Sequence, residues 1–170
     1  MLRLTKKADY SLIALKHLAA RHHASRLGNQ ADAAVSAKEV ADSYGIPLPL
    51  LSKILQKLTK SHLLISEHGT NGGYRLAREP QNITALEVIR LIDGPIILTE
   101  CFTEHTHCDH TSRCSVRKPL RRIHEGILRL LGNVTIQDML DDSEEDPSPT
   151  PTPLIALGAQ NLYGTIRTSS

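Results

Sequence analysis

Three cysteines, Cys101, Cys108 and Cys114, fall inside the fourteen residues C-F-T-E-H-T-H-C-D-H-T-S-R-C, and the 170-residue chain has no others. Cysteines retained for packing sit scattered among apolar neighbours. These share one polar, His-rich segment and read as a ligand set. Their spacing, C-x6-C-x5-C, is wider than the C-x2-C knuckle of common structural zinc sites. Their odd number does not close a disulfide framework. Thiolates in a loop between two helices suit an iron–sulfur cluster, which normally takes four protein ligands. One ligand must therefore come from elsewhere, and His107 and His110 are nearest in sequence. The same donors could instead close a tetrahedral zinc site, which would be colourless and blind to redox state.

Helices flank this loop on both sides. Residues 84–93 begin with the capping-box pattern Thr84-Ala85-Leu86-Glu87, continue through Val88, Ile89 and Ile92, and stop at Gly94-Pro95. After the loop, residues 116–131 predict a long amphipathic helix with Val116, Leu120, Ile123, Ile127, Leu130 and Leu131 on one stripe. Arg117, Lys118, Arg121, Arg122 and Arg129 are expected opposite. One such helix after a small domain lacks an obvious partner, so a second copy of the chain is expected to cover the stripe. Residues 134–140 predict a last short helix. The sequons at Asn82 and Asn133 read as helix starts.

The N-terminal half is organised differently. Residues 4–23 predict a helix capped by Thr5, with Tyr10, Ile13, Ala14, His17 and Leu18 inward. Residues 24–35 are small and polar and predict a loop. Ser36-Ala37-Lys38-Glu39 opens a short helix with Val40 and Ala41 inward, and Gly45 ends it. A further helix runs to about residue 61, with Pro49 in its first turn, where a missing N–H costs nothing. Leu51, Ile54, Leu55 and Leu58 form its buried stripe; Ser52, Lys53, Gln56, Lys57 and Lys60 face outward. Strands at 63–66 and 74–76 enclose His68-Gly69-Thr70-Asn71-Gly72-Gly73, whose Asn-Gly-Gly tip permits the positive φ of a tight hairpin. A glycine-bearing turn between two helices, followed by a hairpin, is a winged helix-turn-helix. The fold class is mainly α with a small β-hairpin, a winged helix-turn-helix domain plus a long dimerisation helix.

Charge agrees with a polyanion partner. The net charge is only +2, yet residues 1–80 carry 12 Lys/Arg against 6 Asp/Glu, and residues 141–170 carry five acids against Arg167 alone. The domain reading is 1–80 for DNA binding, 81–140 for the cysteine loop and dimerisation helices, and 141–170 as an acidic, Pro-rich, disordered tail. No signal peptide or apolar span is visible, so a cytoplasmic protein with reduced thiols is expected. Neither a nucleophile–base pair, a phosphate loop nor H-E-x-x-H occurs, which argues against an enzyme. A carrier that hands on a cluster would not need the basic winged helix.

The pieces L-R-L-T-K-K-A-D-Y, G-T-N-G-G-Y-R-L-A, I-T-A-L-E-V-I, G-P-I-I-L-T-E-C, C-S-V-R and V-T-I-Q-D-M-L together resemble winged-helix regulators of the iron–sulfur (IscR) and nitric-oxide-sensing (NsrR) type, the Rrf family. The likeness covers residues 2–140 and is strongest to regulators of the SUF iron–sulfur assembly system. It implies a homodimeric transcriptional regulator, a repressor in the first instance, with a cluster on Cys101, Cys108 and Cys114, 2Fe-2S ahead of 4Fe-4S. It further implies a palindromic double-stranded DNA operator read by Pro49, Ser52, Lys53, Gln56, Lys57 and Lys60, with His68, Thr70 and Asn71 from the wing. Two positions depart from the pattern. Arg117 stands where the iron–sulfur regulators place a histidine ligand, and His68 stands where some members place a minor-groove arginine. Asp9 matches a position from which some nitric-oxide sensors supply a fourth ligand across the dimer.

Overall fold

The computed structural model describes residues 3–28, 34–69, 72–99, 102 and 113–141. Cys101, Cys108, His107, His110, Thr70, Asn71 and the tail beyond residue 141 lie outside the described residues.

Helix α1 (Lys6–Gly28) ends five residues later than the sequence pattern suggests and takes up the start of the expected 24–35 loop. Its first turn is fixed twice. The Thr5 hydroxyl accepts from the Ala8 N–H at 3.3 Å, and the Thr5 N–H donates to Asp93 at 3.1 Å. The expected stripe supplies only two of the six side chains that α1 buries among the described residues. Ala14 and Leu18 are inside as expected, but Ala8, Ser11, Leu15 and Ala19 are too, while Tyr10, Ile13 and His17 stay half-buried. The buried residues recur at 8, 11, 15 and 18, a stripe of their own turned away from the expected one, where α1 is held among α3 (Leu48–Lys60), α4 (Ala85–Asp93), α6 (Ile136–Asp141) and the second strand. Buried Ser11 satisfies its hydroxyl on the Lys7 carbonyl at 2.6 Å.

Helix α2 (Ala37–Tyr44) begins at Ser36, whose hydroxyl accepts from the Glu39 N–H at 3.1 Å, and ends at Gly45 in the left-handed region. α3 buries Leu51, Ile54, Leu55 and Leu58, as its sequence predicts. Strands β1 (Leu64–Glu67) and β2 (Gly73–Leu76) pair antiparallel, Leu64 opposite Leu76 and Glu67 opposite Gly73. A third segment joins them. Val35 pairs with Tyr74 through two backbone bonds of 2.8 and 2.9 Å. That contact corrects the reading of the wing glycines. Positive φ belongs to Gly69, whereas Gly73 is needed because a Cβ there would sit 2.4 Å from the Val35 carbonyl oxygen.

α4 starts at Thr84, which accepts from the Glu87 N–H at 3.2 Å, and stops at Gly94 with φ 87°. α5 (Arg117–Asn133) has no fully buried residue. The chain then returns to α4: the Ala85 N–H donates to Val134 and the Ile136 N–H to Ile83, at 2.8 and 2.9 Å. α6 follows and packs on α1, so the core crosses residue 80 without a break. No helix among the described residues is long and apolar enough to cross a membrane.

Thr135 and Asp138 cap α6 reciprocally. The Thr135 hydroxyl accepts from the Asp138 N–H, and the Asp138 carboxylate accepts from the Thr135 N–H at 2.7 Å. The Thr135 backbone bond, then its hydroxyl, holds the Asp138 pKa below the ordinary aspartate value. A depressed folded-state pKa gives stability that is present above the unfolded value and lost as pH falls through the folded one. Asp138→Asn is therefore expected to lower the thermal midpoint at neutral pH, with the gap to the parent closing below about pH 4. Parallel melting curves from pH 7 to 3 would count against the cap.

Candidate nucleic-acid interface and cysteine loop

The outward face of α3 is basic because its inward stripe takes Leu51, Ile54, Leu55 and Leu58, leaving polar residues between them. Pro49, Lys53, Gln56, Lys57 and Lys60 are exposed and Ser52 is half-buried. The helix carries no acidic residue. His68 is exposed at the end of β1, on the same hairpin as the Arg75–Glu67 ion pair.

Lys57 is partly engaged elsewhere. Its ammonium donates to the Ile92 carbonyl at 3.2 Å, in the last turn of α4. Lys7, Lys53 and Lys57 rim a cleft of about 260 Å³ floored by Leu50, Ile54 and Ile92. Three cations thus meet where α1, α3 and α4 converge, and the sequence had placed only two of them on this face. Lys57→Ala is expected to weaken binding to all DNA sequences and to lower the slope of log affinity against log salt by about one. An unchanged slope would assign Lys57 wholly to the Ile92 carbonyl.

Of the three cysteines, Cys114 is described: it is half-buried, unpaired with another thiol, and three residues ahead of α5. Among the described residues no three His, Cys, Asp or Glu side chains converge on a metal position. Asp9 is exposed in the first turn of α1. Arg117 was expected on the polar face of α5, but it is half-buried and its Nε is shut from solvent without a partner among the described residues.

His124 went unremarked in the sequence. Its ring lies 5.3 Å from that of Phe102 at 34°, and Phe102 is the chain neighbour of Cys101. Phe102 is itself placed by its N–H on the Thr99 carbonyl at 3.1 Å. The His124 Nδ1 is buried without a hydrogen-bond partner among the described residues. Leaving such a group unsatisfied costs about 1–3 kcal/mol. A signal existed, because His124 follows Arg117 by two helical turns and so shares its face. Three thiols in one segment are donors of the kind that hold an iron–sulfur cluster.

The stripe of α5 divides. Leu131 packs with Ala8, Ala85 and Ile89, whereas Val116, Ile123 and Leu130 remain 55, 52 and 66% exposed. Leu120 and Ile127 are intermediate.

Comparison with known proteins agrees with this geometry. The profile of the Rrf2 family, described as iron-dependent transcriptional regulator, matches residues 4–142. The HTH-type transcriptional regulator NsrR of Bacillus licheniformis is 33% identical over 140 residues, 82% of this chain and 92% of that protein. Among solved structures, CymR, the global cysteine regulator of B. subtilis, superposes with a TM-score of 0.67 at 27% identity. That match covers 84% of this chain and 98% of that one. IscR of T. potens gives 0.60 at 27% identity, over 84% and 88%.

Proposed function

The chain belongs to the Rrf2 family of DNA-binding transcriptional regulators, and from that premise we propose that it is a homodimeric regulator, acting first as a repressor, that senses iron–sulfur cluster status at iron–sulfur (SUF) assembly genes. The observation that carries the sensing half is the set of three cysteines between α4 and α5, with an orphaned imidazole nitrogen beside the same loop. Residues 1–80 bind DNA, 81–140 hold the loop and the pairing helix, and 141–170 form the tail.

Pro49 lies in the first turn of α3, from which Ser52, Lys53 and Gln56 reach base edges in the major groove, while Lys57 and Lys60 meet phosphates. His68, Thr70 and Asn71 place the wing at the adjacent minor groove. A twofold dimer reads two half-sites of a palindrome about 34–36 Å apart, or a multiple of that. Cys101, Cys108 and Cys114 would hold the cluster, 2Fe-2S ahead of 4Fe-4S, and the bound group would supply a covalent tie that oxidation or iron shortage removes. The chain's own part is to convert the state of that loop into the setting of α3. Lys57 on the Ile92 carbonyl and Thr5 on Asp93 join α3 and α1 to the last turn of α4, immediately before the loop. A coupling of about 1–3 kcal/mol changes DNA affinity roughly 5–150-fold, enough for a switch.

The test is the visible spectrum of protein purified without oxygen, with iron and acid-labile sulfide counted per chain. Colour with both present, bleached by Cys108→Ala, is expected. A colourless protein with stoichiometric zinc would retain DNA binding and remove sensing from the proposal.

A further inference from the structure

We infer that Lys7, in the first turn of α1, is a DNA-backbone contact, and that the cleft it shares with Lys53 and Lys57 seats one phosphate of the duplex; the inference rests on the DNA-binding reading above. Ammonium groups gathered round one concavity repel one another and raise its potential until an anion sits among them. The cleft supplies none itself, since its lining is Lys7, Leu50, Lys53, Ile54, Lys57 and Ile92, without a carboxylate. Lys57 meets a neutral acceptor, the Ile92 carbonyl, at 3.2 Å. Lys7 and Lys53 are exposed and have no anionic partner among the described residues.

The floor selects among anions. Leu50, Ile54 and Ile92 lay an aliphatic surface beneath the charges, and a bare inorganic anion has nothing to place on it. A nucleic-acid strand does, because each phosphate carries a sugar whose C–H edges can cover the floor while the phosphate oxygens reach the lysines. The void of about 260 Å³ is of a size with one sugar–phosphate unit. It is also continuous with the outward face of α3 through Lys53 and Lys57, so a strand bordering the major groove passes over it. α3 does not carry the seat alone. Thr5 fixes the first turn of α1 on Asp93, its N–H donating at 3.1 Å and its hydroxyl at 2.5 Å, and Asp93 follows Ile92. The last turn of α4 thus sets the cations of α1 and α3 against each other, and a phosphate held between them fixes how α3 enters the groove.

The experiment measures binding of the full chain, prepared without oxygen, to a duplex that the parent protein selects from a random-sequence pool, and to an unselected duplex. Lys7→Gln should weaken both by about tenfold and lower the slope of log affinity against log salt by about one. Lys7→Arg should restore both, and Lys6→Gln, which removes a neighbouring charge outside the cleft, should leave the slope unchanged. Circular dichroism checks that each variant is folded. The selected duplex is then neutralised one phosphate at a time with methylphosphonate. The parent should lose about tenfold at one phosphate of each half-site, and Lys7→Gln should be indifferent to that same phosphate. An unchanged slope in Lys7→Gln, an equal fall in Lys6→Gln, or parent and Lys7→Gln responding alike at every phosphate overturns the inference while leaving DNA binding by α3 intact. Hexanoate binding that Lys7→Gln abolishes, with DNA affinity unchanged, gives the cleft to a small carboxylate and overturns it too. A parent protein that binds neither duplex overturns both readings.

Discussion

Glutamate at both Ile123 and Leu130 is expected to leave the protein monomeric and to lower its affinity for a two-half-site DNA by about 10²–10⁴-fold. These side chains are more than half exposed in one chain, with Val116 beside them, although α5 is amphipathic along its 17 residues. Scattered exposed leucines need no explanation, but a stripe on one face implies a cover. Of the stripe, Leu131 is the residue that packs against the described core. A second α5 related by a twofold axis would present the same stripe in reverse, and each introduced carboxylate would meet its copy in an apolar seam. Folding of the single chain should change by no more than about 0.5 kcal/mol, because these positions are more than half exposed among the described residues. Sedimentation reads the oligomeric state, and binding to one against two half-sites reads the loss of linkage. A variant that remains dimeric would place the pairing surface somewhere other than α5.

Gly73→Ala is the second large effect. A methyl group there would stand 2.4 Å from the Val35 oxygen and 2.6 Å from its carbonyl carbon, both backbone atoms that no rotamer change can move. Either the Val35–Tyr74 pair breaks, with both of its hydrogen bonds, or β2 shifts against β1. Overpacking of this kind costs about 1–3 kcal/mol, and each lost bond adds about 0.5–1.5 kcal/mol. The expected result is a lower thermal midpoint together with loss of wing-dependent DNA affinity, while α1 and α3 keep their helicity. Gly126→Ala is the control, since a Cβ at that position meets nothing within 4 Å. Equal melting temperatures for parent and Gly73→Ala would show that the Val35 segment yields easily.

Which features could be read from sequence follows from the range of the interactions involved. Ser36, Thr84 and Gly45 announce their elements because a cap acts within three or four residues, and all three do what their types suggest. α3 is legible because its buried residues Leu51, Ile54, Leu55 and Leu58 alternate with Ser52, Lys53, Gln56 and Lys57, so its 3.6-residue period shows in the sequence. α1 is not, because Tyr10, Leu12 and Ile13 are apolar as well, so the sequence does not single out the buried stripe through Ala8, Ser11, Leu15 and Leu18. The Val35–Tyr74 pair joins segments almost forty residues apart, and nothing local marks it. Gly73 shows the same limit from the other direction. Its identity was noticed, but the reason lay in a distant carbonyl rather than in the turn. At the candidate site the three cysteines announce themselves by clustering. His124 needed Phe102 beside it before it stood apart from the other histidines. The Lys57 bond to Ile92 was hidden because charge patterning shows which way a lysine points, not which carbonyl lies within its reach.

The backbone pairing of Ala85 with Val134 and of Ile83 with Ile136 sets the beginning of α4 against the beginning of α6. Departure and return points are thus side by side, so α4, the cysteine segment and α5 leave and rejoin the frame at one clasp. Residues can be gained or lost between Gly94 and α5 without shifting the register of anything outside. That gives the protein a modular economy: the wing and α3 can keep one DNA site while the clasped stretch is lengthened, shortened or exchanged for another receptor. A chimera spliced at Gly94 and Asn133 should fold on the same frame and answer to a different signal, provided the incoming helix brings its own counterpart of Leu131 to close the clasp.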